Sequence, residues 1–229
     1  MPTHARIDMT EPQSFRYTAD YSYLLKTADE VHTPIRRLKN IIKSSVYIYL
    51  PLGLRPGQTL LDVGASIGTI GHYLKFGGIQ SVSLDLNEAA VQKGIDIFGD
   101  EKNNKRLVAD ASNIPYSSQS FDVVFSQDLF EHMPTETVAS QVFTEMERLC
   151  KRGKMLHKIT TLDNLAHIHA DDSHFLKWSI IEWEIWFRSK GWDVSHPSNY
   201  LISLLNKMYY SNKPYYNEEL FLLKKTDVI

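Results

Sequence analysis

Two stretches of this chain carry residue types whose spacing could do chemistry. The first, residues 60–74, reads LLDVGASIGTIGHYL: an apolar run, Asp62, then Gly64, Ala65, Ser66 and Gly68 ahead of helix-like spacing. A glycine-rich turn between a strand and a helix leaves backbone N–H groups pointing outward, a seat for a polar or anionic ligand. Gly64 and Gly68 permit positive φ and close backbone approach. The second stretch is rich in histidine: of nine in the chain, five fall from His132 to His174. QDLFEHM holds Asp128, Glu131 and His132, and HIHADDSHFLKW holds His167, His169, Asp171, Asp172 and His174. An aspartate beside a histidine orients the imidazole and raises its basicity, which suits proton abstraction. The plainer readings are a tight turn without a ligand, a hydrogen-bonded Glu–His pair, and a polar surface loop.

The elements that must position these residues alternate along the chain. Residues 1–16 are polar and read as a loose arm; Tyr17 to Leu50 is helical in period, interrupted at Pro34. PLGLRPGQ, with two prolines and two glycines, ends that segment. TLLDVG then reads as a buried strand and GTIGHYLKFG as a helix; SVSLDL is a strand and NEAAVQKGIDIF a helix capped by Asn87. KRLVAD and FDVVFS are further strands, TETVASQVFTEMERLCKRG a helix, KMLHKITT a strand and SIIEWEIWFRSKG a helix. WDVSHP and ELFLLKKT complete a set of seven strands. Alternation of this kind predicts a doubly wound, mostly parallel α/β sheet covered on both faces. The division expected is an N-terminal arm and helical cap over 1–56 and a ligand-binding core over 57–229. Trp178, Trp183 and Trp186 stand at near-helical spacing, as core residues or with one at a pocket mouth.

Bulk properties narrow the function classes. Apolar residues make up 43% and charged residues 23% of 229, as in a soluble globular domain. A net charge of −2 gives no overall pull toward nucleic acid, and RRLKNIIK and KNNKR are the only basic clusters. A single cysteine, Cys150, excludes an internal disulfide and suits a reducing compartment. No apolar run approaches the roughly 18 residues of a membrane-spanning helix, and MPTHARIDMTEPQSF lacks the apolar core of a secretory signal. The expected setting is cytoplasmic, with a small-molecule substrate and without a nucleic-acid or membrane partner; oligomeric state is not legible.

Two enzyme classes use a turn of the GAS kind. The nicotinamide-dependent short-chain dehydrogenases need glycine at position 70, which is isoleucine here. Their turn opens the chain, whereas about sixty residues precede this one, and the sole Tyr-x-x-x-Lys after it is Tyr209–Lys213 near the C-terminus. The class I S-adenosylmethionine-dependent methyltransferases fit better. DVGASIG resembles their first motif, with Ser66 where glycine is commoner, and Asp85 ends the second strand 21 residues after Gly64. Asp110-Ala111, Pro115 and Phe121-Asp122, in VADASNIPYSSQSFDVVFSQDLFEHM, resemble the adenine-binding segment, especially of the subgroup often called type 11. The resemblance runs from about Gly57 to Thr161 and more loosely beyond.

The resemblance implies S-adenosylmethionine as cofactor. Asp62 would face its cationic methionine end, and Gly64, Ala65, Ser66 and Gly68 would line methionine and ribose. Asp85 and Leu86 would hold the ribose and flank the adenine, Asp110 and Ala111 would meet the adenine edge, and Gln127 would lie under the methionine. Tyr17 and Tyr21 are candidates to close over the cofactor. His132, His174 and Asp172 are the candidate catalytic residues. D-x-x-E-H also resembles the E-x-x-E-H of metal-dependent ubiquinone-biosynthesis and small-RNA 2′-O-methyltransferases. That would make Asp128, Glu131, His132 and His174 ligands for Mg²⁺ or a similar ion. The implied reaction is methylation of a small biosynthetic molecule, on oxygen in preference to nitrogen. The alternatives are an RNA 2′-O-methyltransferase, an N-methyltransferase and an inactive cofactor-binding subunit.

Overall fold

The computed structural model describes residues 33–165, 169, 172–197, 202, 204 and 219–225. Seven strands form one sheet in the order β3-β2-β1-β4-β5-β7-β6. They are β1 (Thr59–Val63), β2 (Gln80–Asp85), β3 (Asn104–Val108), β4 (Val123–Gln127), β5 (Lys154–Lys158), β6 (Trp192–Ser195) and β7 (Leu220–Lys225). β1 to β5 pair in parallel, and β7 runs antiparallel between β5 and β6. The helices are α1 (Pro34–Lys43), α2 (Thr69–Leu74), α3 (Glu88–Phe98), α4 (Glu136–Leu149) and α5 (Ile180–Ser189). The doubly wound, mostly parallel sheet read from the sequence is thus the one the chain adopts.

Alternation along the central strands divides the core in two. Leu60, Val123, Phe125, Leu156, Leu220 and Leu222 pack on one face with Val46, Tyr47 and Ile48. Leu61, Val63, Val124, Met155, Phe221 and Leu223 pack on the other with α4 and α5. On that second face the rings of Phe130, Phe143, Trp186, Phe187 and His157 meet at centroid distances of 5.1 to 6.3 Å. Trp183 and Trp186 are buried there, and Trp178 packs partly buried against them. Strands with apolar residues on both faces are what a parallel sheet covered by helices requires.

Helix ends follow local chemistry. Asn87 caps α3 by accepting the Ala90 N–H, and Ser179 with Glu182 forms a reciprocal capping box at α5. α1 starts with Thr33 as cap and Pro34 in its first turn. It continues into a π-helical turn, Ser44–Tyr49, and ends at Gly53 with φ 58°. The single helix expected there is therefore widened in the middle. Residues 1–32 of the expected cap lie outside the described residues.

Phe143, fully buried at the centre of the ring cluster, tests how much this face contributes. Phe143→Ala is expected to lower unfolding free energy by roughly 3–5 kcal/mol. Urea denaturation followed by tryptophan fluorescence measures it, and a loss below about 1 kcal/mol would contradict the packing described.

Candidate cofactor and active site

All five parallel strands point their C-terminal ends to one edge, where ligands of doubly wound sheets bind. β1 leads into a turn in which Gly64, Ser66 and Gly68 have φ of 72°, 51° and 73°. A side chain at Gly64 would place its Cβ 2.8 Å from Leu129 Cδ1, so a substitution there would have to move that leucine as well as strain the left-handed backbone. Ser66, an L-residue in the left-handed region, is held by its backbone N–H, which donates to Asp85 Oδ2 at 2.7 Å. The Asn87 N–H donates to Asp85 Oδ1 at 2.9 Å. Ala65 N–H donates to Leu84 O at 2.9 Å, tying the turn to the next strand. The Asp85 carboxylate keeps lone-pair capacity beyond these amide partners.

Asp62 sits at the tip of β1 with its side chain buried and its Oδ2 without a hydrogen-bond partner. Burial, and then the charge of Asp85, push its carboxyl from 3.8 up to about 7; the Gly71 amide, Lys43 and Arg106 pull it part of the way back. A desolvated carboxyl with one unpartnered oxygen beneath a backbone-lined turn fits a cationic ligand group. Around the rim, Leu86 is half-exposed, Ala111 packs against the core, and Asp110 accepts the Ser112 N–H and Oγ at 2.8 and 2.7 Å. Gln127 donates from Nε2 to Asp128 Oδ2 at 2.9 Å.

The loop after β4 turns at Asp128, φ 51°, and then forms a 3₁₀ turn, Phe130–His132. A regular helical start would have put Asp128, Glu131 and His132 on one face; the left-handed turn at Asp128 breaks that helix. Lys158, at the end of β5, meets Asp128 Oδ1 at 2.9 Å and Glu219 Oε2 at 3.3 Å. Against the cost of its desolvation, that ammonium holds the Asp128 carboxyl well below the usual range.

Glu131 is fully buried. Its Oε1 accepts the Thr160 N–H at 2.7 Å, and its Oε2 has no partner. Burial first, then Asp128, raise its carboxyl to about 8. Its carbonyl accepts the N–H groups of Phe175 and Leu176 at 2.8 and 3.1 Å, which straps the 173–176 segment over the loop. The strap brings His174 to His132, ring centroids 4.7 Å apart, with Ser173 Oγ 3.0 Å from His132 Nδ1. Glu131, His132 and His174 each offer a ligand atom within 4.8 Å of the others. Asp128 is not in that group, and Asp172 is exposed at a turn beside the strap. Tyr17, Tyr21, His167 and Asp171 lie outside the described residues. Lys158 and Ser173 escaped the sequence reading; the signal for Lys158 was a lysine closing the otherwise buried strand KMLHK.

Asp62 gives a test that needs no ligand. Its carboxyl keeps its proton in the folded chain after the unfolded chain has lost it. Its contribution to stability is therefore full below about pH 4 and lost as pH rises past about 7. Asp62→Asn, neutral throughout, is expected to be the more stable protein at pH 8, by up to roughly 4 kcal/mol at about 1.4 kcal/mol per pH unit. The two should converge near pH 4. Thermal unfolding across that range checks it; parallel curves would mean that Asp62 is not a buried, displaced acid.

The comparisons agree with this geometry. Residues 61–157 match the methyltransferase-domain family. Cycloartenol-C-24-methyltransferase of Arabidopsis thaliana is 28% identical over 120 residues, 51% of this chain and 35% of that protein. The 2-methyl-6-phytyl-1,4-hydroquinone methyltransferase of Synechocystis sp. is 32% identical over 104 residues, 45% of this chain and 32% of that protein. The matches thus span about a third of these relatives' length. Among solved structures, phosphoethanolamine N-methyltransferase 2 of Haemonchus contortus, in complex with S-adenosyl-L-methionine, shares the fold at TM-score 0.60. It is 16% identical, over 94% of this chain and 61% of that one. Among the described residues no helix is long and apolar enough to cross a membrane. With the motif order, the sheet order and the family match in agreement, residues 61–157 of this chain carry a methyltransferase domain.

Proposed function

We propose that this chain transfers the methyl group of S-adenosylmethionine to a hydroxyl oxygen of a small biosynthetic molecule. The observation that carries the choice of oxygen is the Glu131–His132–His174 cluster at the C-terminal edge of β4 and β5. The relatives named above act, by their names, on a sterol carbon and a hydroquinone, and the structural neighbour on a nitrogen, so the fold leaves the acceptor atom open.

In this reading the 64–68 turn, Asp85, Leu86, Asp110, Ala111 and Gln127 seat the cofactor, and Asp62 faces its ammonium. Tyr17 and Tyr21 remain candidates to close over it. Bound there, the cofactor supplies a methyl group already activated on a sulfonium. The protein's work is then alignment, exclusion of water and removal of the hydroxyl proton. His132, with Nδ1 turned to Ser173, presents Nε2 as the acceptor for that proton. His174 packs against it as orienter, and Asp172, beside the strap, is the remaining candidate partner.

A second reading is favoured by the orphaned Glu131 Oε2. One carboxylate and two imidazoles fit a divalent ion, and the donor set suits Mn²⁺, Fe²⁺ or Zn²⁺ better than Mg²⁺, which prefers oxygen ligands. Such an ion would lower the pKa of a hydroxyl it touches. Asp128, paired with Lys158, does not fit as a fourth ligand in this conformation.

A panel of hydroxylated acceptors with labelled S-adenosylmethionine tests the oxygen assignment. His132→Ala and His174→Ala are each expected to slow transfer at least about tenfold while leaving S-adenosylhomocysteine affinity near wild type. Retention of full rates in both would remove the cluster from catalysis. Loss of activity in EDTA with recovery in Mn²⁺ or Zn²⁺ supports the metal reading; indifference to EDTA supports the histidine base.

A further inference from the structure

Arg106 stands on β3, two strands away from the turn it reaches. It pairs in register with Ser83 of β2, whose short side chain leaves room above the sheet. The arginine is 7% exposed, yet each hydrogen bond of its guanidinium ends on a backbone carbonyl. Nε donates to Ile67 O at 3.0 Å, one terminal nitrogen to Gly68 O at 3.3 Å, and the other to Gly99 O. The group lies over the Phe98 ring at 5.1 Å, and the Arg106 N–H donates to Asp100 Oδ1 at 3.0 Å.

Burying a guanidinium without a bonded carboxylate is costly, and an apolar residue of similar volume would fill the space at less cost. What an apolar residue could not do is hold carbonyl oxygens. A trans peptide points its C=O and N–H in opposite directions. Drawing the Gly68 carbonyl down onto the guanidinium therefore turns the Thr69 N–H away from it, at the first turn of α2. The neighbours are cut to fit. A Cβ at Gly94 would lie 2.2 Å from Ile67 O and 2.9 Å from Arg106 Nε, and one at Gly68 would lie 3.0 Å from Nε.

We propose that Arg106 is a positioning residue for cofactor binding, which holds the Ile67 and Gly68 carbonyls from below and so fixes the glycine turn in its receiving form. The inference rests on that turn being the seat of S-adenosylmethionine.

The test is calorimetric titration of S-adenosylhomocysteine into wild type, Arg106→Gln, Arg106→Lys and Asp85→Ala, with thermal unfolding of each. Arg106→Gln, uncharged and too short to span three carbonyls, should weaken binding at least tenfold in folded protein. Arg106→Lys should recover part of the affinity, to within three- to tenfold of wild type. Asp62 faces Asp85, Lys43 and Arg106 and the Gly71 amide. Loss of one cation should therefore also move the pH midpoint of binding upward in Arg106→Gln, which a loss of stability alone would not do. If Arg106→Gln fails to fold, Arg106→Lys decides, and wild-type affinity there overturns the proposal. Wild-type affinity and pH midpoint in folded Arg106→Gln, with Asp85→Ala weakened, overturn it likewise. Wild-type affinity in both Arg106→Gln and Asp85→Ala would show instead that the turn is not the seat.

Discussion

Three left-handed residues within five positions, Gly64, Ser66 and Gly68, let the chain leave β1 and re-enter a helix directly above the sheet edge. The rest of the site hangs from that turn. It lifts backbone N–H groups away from the strands and brings Ser66 onto Asp85, joining the tips of β1 and β2. It also leaves Asp62 beneath with a desolvated carboxylate, a group whose charge is costly until a cation answers it. The turn is pinned on the far side by a cation, Arg106, so opposite charges grip it from two directions.

The second half of the site is organised by burial. The 3₁₀ turn at Phe130 drives that ring into the cluster of α4 and α5 side chains, and this fixes the residues next to it. Glu131 is drawn inside, and its backbone carbonyl then anchors the strap that carries Ser173 and His174. The histidine pair is thus a product of apolar packing on one side and two main-chain hydrogen bonds on the other.

Much of this was legible in the sequence. The strands could be placed from segments such as TLLDVG, SVSLDL and FDVVFS, and the turn from its glycine pattern. Asp62 and Asp85 could be placed because strand ends locate them. What escaped depends on partners far along the chain. Lys158 in KMLHK reads as a strand-end lysine until Asp128, 30 residues earlier, and Glu219, far downstream, close around it. Arg106 in KRLVAD drew no assignment, because the small residues that admit it belong to other elements. Asp128 was misplaced for a local reason: a helical face was assumed where the backbone turns left-handed.

β7 enters the sheet between β5 and β6, although it is the last of the seven strands to be made. Just before it, Glu219 accepts the Thr161 N–H at 2.9 Å and meets the Lys158 ammonium, so a residue from late in the chain closes the floor of a site built from its middle. Until that segment leaves the ribosome, Lys158 lacks the Glu219 counter-charge and β5 has a bare edge. The glycine turn after β1 is therefore made long before the last contacts around Lys158. A chain ending ahead of residue 219 would lack both the strand that covers the edge of β5 and the carboxylate that joins Thr161 to Lys158.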